Sequence, residues 1–269
     1  MLRPLVLLAA LAVGGIAAGA VSAALVPATV SSNWAGYALT AQGDPGATEF
    51  TNVTGSWIQP KATCAAGAQS SSAFWVGLGG SSEGSQALEQ IGTEARCAGS
   101  SAAAVHTAWY ELVPAPPVTI KLKVRPGDRL TGAVLVNGSH VTLQITNATR
   151  HWRFTKNVTL AEPDLTSAEW IAEAPSACNS FGRCRPVPLA NFGTVSFTRA
   201  AATASGHAGV ISDATWTTTP IQLDGSGQSG AFRPPFGPRS IVEPGAAVPS
   251  ELSPDGRSFS VAWQSSQTG

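Results

Sequence analysis

Residues 130–145 read Leu130-Thr-Gly-Ala-Val-Leu-Val-Asn137-Gly138-Ser-His-Val141-Thr-Leu-Gln-Ile145. Two runs of branched apolar residues flank Asn-Gly, the dipeptide that best tolerates the positive-φ backbone of a tight hairpin turn. The stretch reads as a β-hairpin, and it sets the reading of the chain around it. Upstream, Val118-Thr-Ile-Lys-Leu-Lys-Val124 alternates apolar and polar residues and ends at Arg125-Pro-Gly-Asp128, a turn. Residues 152–160, 194–198 and 258–263 have the same character, the last run following Asp255-Gly256. Almost nothing beyond residue 30 carries a helical period. Short strands at roughly ten-residue spacing predict an all-β fold, an antiparallel sandwich or barrel.

No internal repeat and no shift in composition divides the chain, so residues 31–269 are expected to form one domain. Residues 220–250, which include Pro234-Pro235-Phe236-Gly237-Pro238, read as its least regular part, a long surface loop.

The N-terminus has a different character. Arg3 precedes an apolar stretch from Leu5 to Ala20, and Val21-Ser22-Ala23 has the small-x-small form of a signal-peptidase site. A cleaved leader, residues 1–23, followed by a short linker over 24–30, is favoured over a membrane anchor, because glycines interrupt the apolar run. The expected product is secreted and extracellular, with no membrane association after cleavage. Of the 269 residues only 12% are charged, 16 basic and 16 acidic, a balance that excludes a nucleic-acid footprint. Export favours disulfides for the four Cys, which allow three pairings. Cys178 and Cys184 enclose a turn-rich loop suited to a local bridge, leaving Cys64 with Cys97. A zinc site is the alternative, but there is no C-x-x-C and no nearby His pair.

Two carboxylates stand in an apolar, aromatic run: Ala168-Glu169-Trp170-Ile171-Ala172-Glu173. Acids placed there must be paired, hydrogen-bonded or raised in pKa, unless both point to solvent from a half-buried strand. On a strand, Glu169 and Glu173 share a face but sit about 13 Å apart, too far to form a dyad. A short helix capped by Ser167 would bring them together and stays open as the alternative. Further upstream, Phe74-Trp75-Val76-Gly77-Leu78-Gly79-Gly80 is followed by Leu88-Glu89-Gln90-Ile91-Gly92, a polar amide among apolar neighbours. A Gln amide can donate to a developing oxyanion, and a facing Glu can accept a proton from water and return it to a leaving amine.

Six segments in order carry a resemblance: Ser32-Asn33-Trp34-Ala35-Gly36-Tyr37; Phe50 through Gly55-Ser56-Trp57 and Pro60; Trp75-Val76-Gly77; Gln90-x-Gly92; Trp109-Tyr110-Glu111; and Ala168-Glu169-Trp170-Ile171-x-Glu173. Together, over residues 31–200, they resemble the glutamic peptidases, also called eqolisins. The resemblance implies a concanavalin-like β-sandwich of two curved antiparallel sheets with a substrate cleft on one concave face. It implies an endopeptidase, acting at acidic pH on protein or peptide substrates through a Gln/Glu dyad, without metal or cofactor. Gln90 and Glu173 match the dyad; Trp75, Glu94 and Glu111 match positions that line the cleft or support the dyad. Trp34 and Glu169 fall within the matching segments and are expected to support substrate binding. Cys178 and Cys184 match the family's small C-terminal bridge. Three features depart from the fungal pattern: Gly79 stands where those members carry Asp, no long acidic propeptide precedes Ser31, and net charge is close to neutral.

Two rivals come from other classes. Gly80-Ser81-Ser82-Glu83-Gly84 fits G-x-S-x-G, but a nucleophile elbow needs a helix after it and the following residues are not helical. A non-catalytic sandwich binding carbohydrate or a surface partner would also suit eight Trp in a Gly/Ser/Thr-rich chain. The pairing of Gln90 with Glu173 discriminates, since a binding module needs neither. The sequence thus reads as a secreted, monomeric, metal-free glutamic-type endopeptidase.

Overall fold

The computed structural model describes residues 28–43, 48–65, 67, 69–98, 102–178, 184–226, 228 and 244–265. The leader, most of the linker and the Pro234–Pro238 segment lie outside these. Every regular element among the described residues is a strand. The first layer is formed by β1 (Thr29–Ser31), β2 (Trp34–Ala41), β4 (Gln69–Leu78), β5 (Leu88–Ala98), β6 (Val105–Val113), β7 (Val118–Ile120) and β11 (Ser167–Glu173). The second is built from β3 (Phe50–Ile58), β8 (Arg129–Asn137), β9 (His140–Asn147), β10 (Trp152–Thr159), β14 (Thr194–Ala204) and β15 (His207–Gly209). Three strands join the layers at one side: β16 (Trp216–Leu223), β17 (Gly245–Pro249) and β18 (Phe259–Ser265). A separate ribbon pairs β12 (Ser176–Cys178) with β13 (Cys184–Pro186).

One hydrogen-bonded path runs β10-β9-β8-β3-β14-β18-β17-β16-β2-β11-β4-β5-β6-β7 and doubles back so that β3 and β8 lie over β4, β5 and β11. The result is a β-sandwich of curved, almost wholly antiparallel strands. Phe74, Val76, Leu78, Ile91 and Trp170 face Phe50, Val53, Trp57, Leu130 and Phe197 in the core between the layers. Two indoles cross it with their N–H groups satisfied, as buried Trp requires. Trp170 Nε1 donates to the Thr54 carbonyl at 2.8 Å, and Trp57 Nε1 donates to Thr93 Oγ1 at 3.0 Å. Gly55 makes room for the first: a β-carbon there would lie 2.6 Å from Trp170 Cδ1.

The Asn137-Gly138 hairpin forms as expected, with β8 and β9 paired from Leu130↔Asn147 to Asn137↔His140 and Gly138 at φ +57°. Residues 167–173 are strand, not helix. Two expectations need correction. The strand read over 118–124 stops at Ile120, because the Leu122 N–H turns back to the Ile120 carbonyl at 2.8 Å and β7, last in the path, has no outer neighbour to hold it extended. Residues 220–250 are not one irregular loop: β16 continues to Leu223 and β17 begins at Gly245. Pro220 concealed this. Among the described residues it lies where β16 has only β2 beside it, a place where a missing N–H is tolerated.

Both cysteine pairs are bridged, Cys64 to Cys97 and Cys178 to Cys184, which removes cysteine from any zinc site.

Replacing Trp170 by Phe keeps most of the buried area but removes the indole donor to the Thr54 carbonyl. Urea unfolding should report a loss of about 1–3 kcal/mol; an unchanged midpoint would show that this bond contributes nothing.

Candidate active site

The pleat of β11 sends Ala168, Trp170 and Ala172 into the core and Glu169, Ile171 and Glu173 to the opposite face. Strand register then aligns three rows across β2, β11, β4, β5 and β6 on that face. The first is Trp34, Glu173, Ala73, Glu94, Thr107; the second Gly36, Ile171, Trp75, Gly92, Trp109; the third Ala38, Glu169, Gly77, Gln90, Glu111. All seven residues expected to serve the site therefore lie on one face. Alternating small residues keep that face open. Only Ala73 stands between Glu173 and Glu94, and a β-carbon at Gly92 would lie 2.5 Å from Trp75 Cβ.

Glu173 is half-buried, and its carboxyl accepts from Trp75 Nε1 at Oε2, 2.7 Å, and from Asn33 Nδ2 at Oε1, 3.2 Å. The indole ring of Trp34 meets that of Trp75 edge-on at 5.0 Å, screening the Trp75–Glu173 contact from water. Burial pushes the Glu173 carboxyl up to about 7; the charge of Glu111 adds to this, while the donors Trp75, Asn33 and Trp34 oppose it. Glu111 is also raised, by burial, against the pull of its Gln90 hydrogen bond. That bond, Gln90 Nε2 to Glu111 Oε2 at 2.6 Å, fixes the amide. One amide N–H remains, and the Gln90 Oε1 atom is buried without a partner. Glu94 accepts from Ser71 Oγ at 2.5 Å.

These groups border a cleft of about 530 Å³ floored by Ala73, Thr107 and Trp109 and walled by residues 113–117 and the β12–β13 ribbon. Glu94, Glu111 and Glu173 are its ionisable lining; Gln90 and Trp75 lie beneath its surface. Glu169 does not line it. Its side chain is fully buried and neither carboxyl oxygen makes a hydrogen bond. Among the described residues no group of three or more His, Cys, Asp or Glu is placed to hold a metal ion.

Two residues were not singled out from the sequence. Asn33 sits beside Trp34 in a quoted motif, yet its bond to Glu173 spans 140 positions and depends on the register of β2 with β11. Asp164, likewise not singled out from its loop, lies away from Glu173, at the other end of these strands, where it accepts from Ser85, Thr166 and Gly80.

A half-buried, hydrogen-bonded carboxyl that titrates near neutrality, on one face with a fixed amide two rows away, is equipped for proton transfer with oxyanion stabilisation. The family model described as Peptidase A4 matches residues 32–229. Aspergillopepsin-2 of Aspergillus niger is 30% identical over 229 residues, covering 73% of this chain and 72% of that protein. Among solved structures, scytalido-glutamic peptidase with a peptide-based transition-state analogue superposes with a TM-score of 0.66 at 23% identity, over 88% of this chain and 100% of that one. Aspergilloglutamic peptidase from Aspergillus niger does so with a TM-score of 0.54 at 26% identity, over 72% of this chain and 99% of that one.

Trp75→Phe removes a donor that favours the charged carboxylate, so the Glu173 titration should move above 7. Carbon-13 NMR of labelled glutamate, with the resonance assigned by its absence in Glu173→Gln, measures this; an unmoved or lowered midpoint would deny the indole any part in setting it.

Proposed function

The chain belongs to the Peptidase A4 family and is a glutamic-type peptidase, and on that premise we propose that it is a secreted, monomeric endopeptidase using Glu173 and Gln90 as its catalytic dyad. The observation that carries the assignment is the Glu173 carboxyl, held by Trp75 and Asn33 at the edge of a cleft whose other side presents Glu111, with Gln90 bonded to it just beneath the surface. A peptide lying across the first layer would bring its scissile carbonyl between these groups. Glu173, ionised, takes a proton from a water as that water attacks the carbonyl carbon. The Gln90 amide N–H not engaged by Glu111 donates to the oxyanion of the tetrahedral intermediate. Glu173 then passes the proton to the leaving nitrogen as the C–N bond breaks, which restores the carboxylate. Glu111 fixes the Gln90 amide, Trp34 and Trp75 keep the base dry, and Glu94 lines the cleft on the far side of Ala73.

The substrates are proteins and peptides. Scytalido-glutamic peptidase was solved with a peptide-based transition-state analogue and its relative SCP-B with a tripeptide, Ala-Ile-His, in keeping with an extended peptide as ligand here. The leader over residues 1–23 and the two disulfides support export.

A base works only when ionised, so a carboxyl near 7 makes kcat/KM climb as pH rises through 7 and level off above it. Casein hydrolysis from pH 2 to 8, with chelator present, tests the reading. Glu173→Gln should lower kcat about 10²–10⁴-fold or more, and Gln90→Ala about 10²–10³-fold, with the fold intact by circular dichroism. Near-wild-type turnover by Glu173→Gln would sink the assignment.

A further inference from the structure

Three carboxyls crowd the end of β4, β5 and β11 away from Glu173. Glu169 is 0% exposed with both oxygens unpartnered, and Glu89 is 1% exposed with Oε2 unpartnered. Asp164 is different: it accepts from the Thr166 N–H at 2.9 Å, Thr166 Oγ1 at 2.6 Å, the Gly80 N–H at 3.4 Å and Ser85 Oγ. These last two contacts tie it to the turn between β4 and β5, residues 79–87. That turn is also stitched to β11, Gly79 N–H to the Ser167 carbonyl at 3.0 Å and Ser81 N–H to Ser167 Oγ at 3.3 Å. Its Gly80 lies under Trp34: a β-carbon there would sit 3.2 Å from Trp34 Cη2. Trp34 in turn packs on Trp75, the donor to Glu173.

We propose that Glu89, Asp164 and Glu169 form a proton-dependent latch that seats the 79–87 turn against Trp34 and so keeps the Glu173 site assembled. The seated state requires Glu89 and Glu169 to stay uncharged. Burial pushes Glu89 up to about 8, with the charge of Asp164 adding to it. Burial likewise raises Glu169 well above the usual range, opposed by Ser167 and reinforced by Asp164 and Glu89. Burial also pushes Asp164 upward, but its donors outweigh this and hold it below the usual range, so it stays charged.

No counter-charge is at hand. Segments 34–42, 69–90 and 161–173 contain no Lys, Arg or His; of the remaining acids there, Glu83 and Glu162 are exposed and Glu173 stands at the other end of β11. On β6, Leu112 pairs with Glu89, while Glu111 is bonded to Gln90 and His106 lies at the opposite end, beside Ala95. Ionising either buried acid places an uncompensated charge beside Asp164, which is relieved by opening the turn to water.

The sign follows from linkage. Both acids have folded values above the ordinary 4.5, so their stabilisation is complete below that pH. It erodes as the unfolded chain ionises first, and for Glu89 the loss is complete once pH passes about 8. The link from latch to activity rests on the proposed role of Glu173; the link from latch to stability does not.

Urea unfolding of the full chain from pH 4 to 9 measures it. Wild type should lose stability as pH rises, and Glu89→Gln and Glu169→Gln should each reduce the protons released on unfolding at pH 6–7 by about one. Each variant should also retain a larger fraction of its own pH 5 activity after incubation at pH 8. Stability independent of pH in wild type, or a proton count unmoved in whichever Gln variant folds, overturns the latch. An altered proton count without altered survival at pH 8 overturns its link to the site. A wild type with no proteolysis at any pH removes the dyad reading but leaves the stability test intact.

Discussion

Along β11 each side chain is committed by the pleat to one of two faces. Trp170 must lie in the core, where its indole reaches across the sandwich to Thr54, so Glu169, Ile171 and Glu173 take the opposite face. A slip of one residue would exchange the two sets, pushing two acids into the core and an indole into the cleft. The same register makes Trp34 and Ala73 the immediate neighbours of Glu173 and places Gln90 in the row of Glu169. The site is thus a consequence of strand pairing, its members drawn from five strands, and is rigid because the core on the other side is rigid.

Within this frame, desolvation and hydrogen-bond donors compete, and three carboxyls show the outcome. Asp164, with four donors, is held below its usual range despite burial. Glu173 receives donors but feels both burial and Glu111, and settles at about 7. Glu169, with neither oxygen bonded, is raised well above it. The three differ both in burial and in how many N–H and O–H groups point at them, and in Asp164 the donors outweigh a milder burial. A carboxyl meant to exchange protons near neutrality needs the intermediate count, and the bend before β2 and strand β4 supply it through Asn33 and Trp75.

The legible parts of the sequence were those whose signal is local. Asn137-Gly138 announces its turn through backbone sterics alone, and the strands around it follow. Alternation over 118–124 was equally local but misleading, because an outermost strand lacks the second neighbour that would keep it extended. Pro220 hid a strand for the converse reason, its partner being distant in sequence. Glu173, Gln90 and Trp75 stood out as candidates because their segments retain a family pattern. Asn33 and Asp164 could not, since each acquires its role only where separate strands and turns meet. Glu169 was legible as an anomaly and no further. An acid among apolar neighbours must be either solvated or neutral, and only the packing of the 79–87 turn decides between these.

Gly79 shows how such meetings alter the meaning of a substitution. Beside the fungal pattern it reads as a lost acid. Its φ of +84° disfavours any side chain, and a β-carbon there would lie 2.5 Å from Asp164 Cβ. An Asp at 79 and the present Asp164 are therefore mutually exclusive. Negative charge has not left this end of the first layer; it arrives from the loop before β11 instead, held by Ser85, Thr166 and Gly80. Because Asp164 sits against Glu89 and Glu169 as well as the turn, its charge acts on the packing of the layer that carries Glu173. The departure at Gly79 is compensated in position, and what changes with it is which groups feel the charge.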